Sequence, residues 1–72
     1  MIEYNILLTW DDEASVWIAE NDDIPIALES DSLDKLIERV KSAAPELLSL
    51  NNKLNSKNIV LNFKMELQTM VA

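Results

Sequence analysis

Carboxylates are the side chains of this protein that could do chemistry, because the usual catalytic partners are missing. The 72 residues contain no histidine, no cysteine and no glycine. Without His or Cys, the common zinc sites and the Ser–His or Cys–His nucleophiles cannot be built. Without Gly, the phosphate-binding loops of nucleotide enzymes are excluded as well. A site built from Asp and Glu alone, holding a divalent cation such as Mg²⁺ or Ca²⁺, remains possible.

Two acidic clusters lie in the first half of the chain, Asp11-Asp12-Glu13 and Asn21-Asp22-Asp23. Each interrupts an apolar pattern, as turn residues do, and without Gly the positive-φ turn positions are expected to be Asn or Asp. The clusters could hold Mg²⁺ or Ca²⁺ if the two turns met. Consecutive turns of a meander lie at opposite ends of the shared strand, about 20 Å apart for six residues. We therefore predict two turns, with no catalytic residue, no metal site and no cofactor.

The pattern around these clusters predicts the element order βββαβ. Alternating or β-branched apolar residues over 2–10, 15–19, 24–29 and 59–67 indicate four strands. Apolar residues repeat every three or four positions over 33–48, which indicates a helix with one apolar stripe. Asp31 is the expected N-cap of that helix. Pro45 interrupts the stripe, so we expect a kink there or a second short helix.

Short connections and one proline predict how the strands are arranged. Two tight turns make the first three strands an antiparallel meander. Pro25 cannot donate a ladder hydrogen bond, so the third strand should be an edge strand or begin at that residue. A polar connection over residues 51–58 follows the helix, and the fourth strand can then lie beside the first and parallel to it. We predict an α+β fold, one domain over residues 1–72, with the helix on one sheet face.

Three apolar residues fall out of phase with the predicted core. Leu7, Trp17 and Val60 would form an apolar patch on the open side of the sheet if they align, and such patches often mark protein contacts. The alternative is three separately exposed side chains. A chain of this size buries only about 60% of its surface on folding, so self-association, most simply a dimer, would help it.

Charge is divided unevenly along the chain. The net charge is −7, and residues 1–34 hold ten carboxylates and no base, whereas residues 35–72 hold six bases and three acids. An acidic half repels nucleic acid, so direct DNA binding is not expected. The same field attracts a basic protein, although solubility alone is the alternative explanation. No signal peptide or transmembrane segment is evident, so we expect no membrane contact and a cytoplasmic location.

Three motifs resemble the HicB-like superfamily of short bacterial proteins. They are WDDEASVWIA at residues 10–19, DDIP at 22–25 and the helix SLDKLIERVKSAAPELL at 32–48. The resemblance covers most of the chain. One departure is Ile26, which stands where the family usually has a Gly after Ile-Pro.

The resemblance implies a fold and a role. HicB-like antitoxins have a partial ribonuclease-H-like βββαβ fold and mask HicA, a small basic ribonuclease of messenger RNA. Many carry a C-terminal DNA-binding domain, but this chain ends just past its last strand, so operator binding is not expected. The alternatives are a stand-alone homo-oligomeric structural or interaction module and, less favoured, a remnant of a metal-dependent hydrolase. The candidate surface for a partner or a second copy comprises Leu7, Trp17, Val60, Asp11, Asp12, Glu13, Asp22 and Asp23.

Overall fold

A computed structural model describes residues 2–50, 59–69 and 71 of the chain. The elements follow in the order β1 (Ile2–Asp11), β2 (Val16–Asn21), β3 (Ile26–Ser30), α1 (Leu33–Leu50) and β4 (Ile59–Glu66). The predicted α+β class and βββαβ order are therefore confirmed. The polar connection predicted over residues 51–58 lies outside the described residues.

The four strands form one sheet in the order β3-β2-β1-β4. The pairs β1–β2 and β2–β3 are antiparallel, and β4 lies parallel to β1. Both predicted neighbours of β1 are thus confirmed. β3 is an edge strand, as expected next to Pro25, although it begins one residue later, at Ile26. β4 forms the other edge.

The core lies between one face of the sheet and the helix. Residues directly opposite each other on paired strands point to the same face, so Leu8 and its partner Ala19 both contribute to the core. Ile24 is also fully buried, although it belongs to the turn before β3. Within the described part of the chain, the buried apolar residues are Ile6, Leu8, Ala19, Ile24, Ile26, Leu36, Val40, Ala44 and Leu48.

The helix α1 supplies a stripe of buried side chains spaced four residues apart, a spacing that keeps them on one side. The stripe comprises Leu36, Val40, Ala44 and Leu48. α1 packs mainly on β3 and then on β2. Arg39 Nη1 also donates a hydrogen bond to the Glu29 carbonyl at 2.8 Å, which ties the helix to the edge strand β3. No helix among residues 2–50, 59–69 and 71 is long and apolar enough to cross a membrane.

Ser32 is the N-cap of α1. Its Oγ accepts a hydrogen bond from the Lys35 N–H at 3.3 Å, and its carbonyl accepts one from the Leu36 N–H at 3.0 Å. The prediction that Asp31 caps the helix is therefore wrong. Ser30 Oγ accepts the Ser32 N–H at 3.1 Å, which fixes the backbone just before the helix. The hydroxyl of Ser32, one residue after Asp31, thus accepts a hydrogen bond from an N–H of the first helical turn that has no partner within the helix.

α1 continues through Pro45 as a single helix. The alternative of a second short helix is therefore wrong, whereas the expected kink stays a prediction. Pro45 lacks the N–H that would donate to the Lys41 carbonyl. Both residues are exposed, so water can reach that carbonyl, and the helix can accommodate the proline.

Candidate functional site

The first acidic cluster forms the turn between β1 and β2. Asp11 Oδ1 accepts the N–H groups of Glu13 and Ala14 at 3.0 and 3.3 Å. Asp12 Oδ1 accepts the indole N–H of Trp10 at 3.2 Å. Ser15 has a φ of 55°, so the expectation that only Asn or Asp fills such positions is wrong. Asp11 and Asp12 thus act as local hydrogen-bond acceptors that hold the turn together.

The second acidic cluster is organised by Asn21. Its Oδ1 accepts the N–H groups of Asp23 and Ile24, both at 2.7 Å, and its Nδ2 donates to the Asn5 carbonyl at 2.6 Å. The Ile24 carbonyl accepts the Ile26 N–H at 2.6 Å. One amide side chain therefore closes the turn, ties it to β1 and helps to position the buried Ile24.

The two turns lie at opposite ends of β2, as predicted, because each joins this six-residue strand to a different antiparallel neighbour. Among the described residues, no group of three or more acidic side chains could hold a metal ion. The predicted absence of catalysis is a separate matter and stays a prediction.

The sheet face turned away from α1 is strongly acidic. This open face consists of Glu3, Asn5, Leu7, Thr9, Asp11, Val16, Ile18, Glu20, Ala27, Glu29, Val60, Asn62, Lys64 and Glu66, as the strand register shows. It carries five carboxylates and one lysine, a net charge of −4. The carboxylates alternate with apolar side chains, so the open face is neither a plain hydrophobic patch nor a plain solvated surface.

Leu7 is the most exposed large apolar residue of the open face, with 40% of its surface accessible. It pairs with Glu20 on one side and Lys64 on the other. Val60, which is half-buried, pairs with Glu3. Leu7 and Val60 therefore share the open face, as predicted, and each has a charged cross-strand neighbour.

Trp17 lies on the opposite face from Leu7. It pairs with Trp10 and packs, partly buried, against the core. The prediction that Trp17 joins Leu7 and Val60 in one patch is therefore wrong. The reason is the length of the first turn, which sets the register between β1 and β2. In this register odd-numbered residues of β2 lie opposite even-numbered residues of β1, which face the core, so Trp17 faces the core as well.

A polar cleft of ≈ 350 Å³ lies where the open face meets the second turn. It brings three predicted surface residues together, Leu7, Asp22 and Asp23, and adds Glu3 and Glu20. Sequence reasoning missed these two glutamates as site residues, although their alternation with core residues was the available signal. The residues Asp11, Asp12 and Glu13 are not part of this cleft.

The solvent side of the helix is balanced in charge, in contrast to the open face. Its exposed charged residues are Lys35, Arg39, Lys41, Asp34, Glu38 and Glu46. Three are basic and three acidic, and Lys41 contacts Glu38 at 3.2 Å. The negative charge of the protein is therefore concentrated on the open face and the turns.

Comparisons with known proteins agree with this architecture. The crystal structure of the hypothetical protein TTHA1013 from the extremely thermophilic bacterium Thermus thermophilus is 30% identical in sequence, with a TM-score of 0.74. The alignment covers 97% of this chain and 97% of that chain. No curated protein matches the sequence. A family model described as a domain of unknown function (DUF1902) matches residues 3–71, and the chain therefore belongs to the DUF1902 family.

Proposed function

We propose that this chain is a non-enzymatic, HicB-like protein-binding domain that receives a small basic protein on its open face. The proposed partner is a HicA-like ribonuclease of messenger RNA, which would make the domain an antitoxin. The observation that carries this proposal is the open face itself, with five carboxylates, one lysine and interleaved apolar residues. The motif resemblance to HicB-like proteins supplies the class of partner.

The mixture of charge and apolar surface suits a protein partner. Charged groups steer a basic protein towards the face and fix its orientation, whereas desolvated apolar side chains contribute affinity. Leu7 offers such an apolar contact between Glu20 and Lys64. A nucleic acid is disfavoured, because its phosphates would meet a surface with a net charge of −4.

The cleft beside Leu7 suits the long cationic side chains of a basic protein. Among the described residues that line it are four carboxylates, those of Glu3, Glu20, Asp22 and Asp23. A guanidinium group binds carboxylates through paired, charge-assisted hydrogen bonds. We therefore expect a Lys or Arg of the partner to enter this cleft when the two proteins meet.

The test compares three double variants that each remove two negative charges. Glu3→Gln with Glu20→Gln changes the open face, Asp12→Asn with Glu13→Gln changes the first turn, and Glu38→Gln with Glu46→Gln changes the exposed side of α1. Association with a purified HicA-like ribonuclease is measured at low and at physiological salt, together with protection of RNA from cleavage.

The expected result is that the open-face variant binds most weakly and protects RNA least. The first-turn variant should slow association with little change in dissociation, and the helix variant should behave like the wild type. Salt should lower the wild-type association rate, because screening acts over about 8–10 Å at these ionic strengths. Equal effects of all three variants would show that only net charge matters and would contradict the proposed face.

A second candidate function is a stand-alone homo-oligomeric module. One observation favours it: β4 is an edge strand, and exposed apolar residues lie at its end and directly after it, namely Met65 and Leu67. Recovery of only the chain itself in a pull-down from host extract, with no basic protein, would favour this second function.

A further inference from the structure

The two edges of the sheet are protected to different degrees. β3 has five residues, follows Pro25, and has its Glu29 carbonyl occupied by Arg39. These are the devices by which proteins block an edge strand. β4 has eight residues, contains no proline, and has no strand on its outer side among the described residues. β4 is therefore the edge that can accept another strand.

Exposed apolar side chains are concentrated at the end of β4 and in the residues after it. Five large hydrophobic residues are exposed in the described part of the chain. Three of them lie near the C-terminus of the chain: Met65, Leu67 and Val71. Met65 and Leu67 are each 56% exposed. Met65 pairs with Leu8 and so lies on the helix-covered side of the sheet. A strand added outside β4 would cover apolar surface that one chain leaves in water.

We propose that a second copy of this chain pairs with β4 in antiparallel fashion, with the two Met65 residues directly opposite each other. In this register Lys64 of each copy lies opposite Glu66 of the other, and both residues belong to the open face. On the helix side, Phe63 of each copy would meet Leu67 of the other, the residue that directly follows β4, if the strand extends by one residue on pairing. The pairing thus joins Lys64 to Glu66 and Phe63 to Leu67, each twice by symmetry, on either side of a single Met65–Met65 contact.

The neighbouring registers are disfavoured by charge. A pairing centred on residue 64 places the two Lys64 side chains directly opposite each other, and one centred on residue 66 does the same with Glu66. Like charges in directly opposed positions destabilise a sheet. A pairing centred on residue 63 sets Glu66 against Val60 and gives Lys64 no acidic partner. The charges therefore favour the register centred on Met65.

The result is a continuous eight-stranded sheet with both helices on one side and both open faces on the other. This inference does not rest on the proposed function. A substitution at Lys64 distinguishes the proposed dimer from the proposed binding of a basic protein. Lys64→Glu should weaken the dimer. The same substitution makes the open face more acidic and so should not weaken binding of a basic protein.

Charge reversal tests the register. Lys64→Glu should weaken dimerisation about tenfold, because two symmetric attractive pairs become repulsive at once. Adding Glu66→Lys to the same chain should restore it, since each pair then regains opposite charges. Lys41→Glu on the exposed side of α1 is the matched control and should leave the dimer unchanged. Sedimentation equilibrium from micromolar to millimolar protein gives the dissociation constants.

Crosslinking tests the contact independently, because the chain has no native cysteine. Directly opposed residues have Cα atoms about 4.5–5.5 Å apart, a separation that a disulfide spans. Met65→Cys should therefore form a covalent dimer on mild oxidation. Gln68→Cys, also exposed, is the control, because its own copy would lie six residues away along the pair, about 20 Å.

Three results would overturn the inference. The first is a wild-type chain that sediments as a monomer over the whole concentration range. The second is equal crosslinking of the two cysteine variants. The third is a double charge reversal that dimerises no better than Lys64→Glu alone.

Discussion

Trp10 and Trp17 are direct cross-strand partners, with ring centroids 5.4 Å apart and ring planes tilted by 59°. The rings are tilted rather than stacked face to face, and aromatic pairs at this separation attract each other beyond the area they bury. Both rings are half-buried on the helix-covered side of the sheet. The pair therefore fastens the β1–β2 hairpin close to its turn.

Removal of this aromatic pair should destabilise the fold cooperatively. A double-mutant cycle with Trp10→Ala and Trp17→Ala should give a coupling energy of about 1 kcal/mol. Urea unfolding followed by far-ultraviolet circular dichroism, at one protein concentration, provides the measurement. Strictly additive effects would show that the two rings do not stabilise each other.

The helix cap gives a prediction with a built-in control. Ser32→Ala should lower the free energy of unfolding by about 1 kcal/mol, because the N–H of Lys35 loses its acceptor. Asp31→Ala, one residue earlier and exposed, should change it by less than about 0.5 kcal/mol. Chemical denaturation of both variants compares them directly. A larger loss of stability in Asp31→Ala than in Ser32→Ala would show that Asp31 is the N-cap.

Asn21 should be the most sensitive polar residue of the second turn. Asn21→Ala removes two acceptor contacts and one donor contact, and should cost about 2 kcal/mol in unfolding free energy. Asn21→Asp keeps the acceptor oxygen but loses the hydrogen bond to Asn5, and it should fall between alanine and the wild type. Denaturation curves of the three proteins test this order. Asp22→Asn, at the exposed tip, serves as the control.

The protein should not cleave RNA or simple phosphoesters in the presence of Mg²⁺ or Mn²⁺. The chain has no His or Cys, and its acidic turns lie at opposite ends of β2. Incubation of the purified protein with labelled RNA, with the Asp22→Asn variant in parallel, provides the test. Turnover that disappears in that variant would contradict the prediction and identify a carboxylate site.

The order of the elements could be predicted because each depends on a pattern within one segment. The alternation in β1 and the four-residue stripe of α1 are such local patterns. The helix cap could not be chosen by composition, because Asp31 and Ser32 are both good caps. Only the position of the first helical turn decides which oxygen meets the free N–H of Lys35.

The candidate site was harder to predict because it depends on register. Whether Trp17 shares a face with Leu7 is decided by the number of residues in the turn between β1 and β2. A change of one residue there would move every β2 side chain to the other face. Glu3 and Glu20 line the same cleft only because the strand register brings them there. Composition alone could not identify them.

The parallel pairing of β1 with β4 has a consequence for how the chain folds during synthesis. Paired residues on these strands are 57 positions apart, as in the contact between Asn5 and Asn62. β1 leaves the ribosome well before β4, and pairings across such a sequence distance form slowly. In the interval, the side of β1 that will receive β4 is a bare strand edge, which is prone to mispairing between nascent chains. Nascent chains of this protein should therefore depend on chaperones more than its small size suggests.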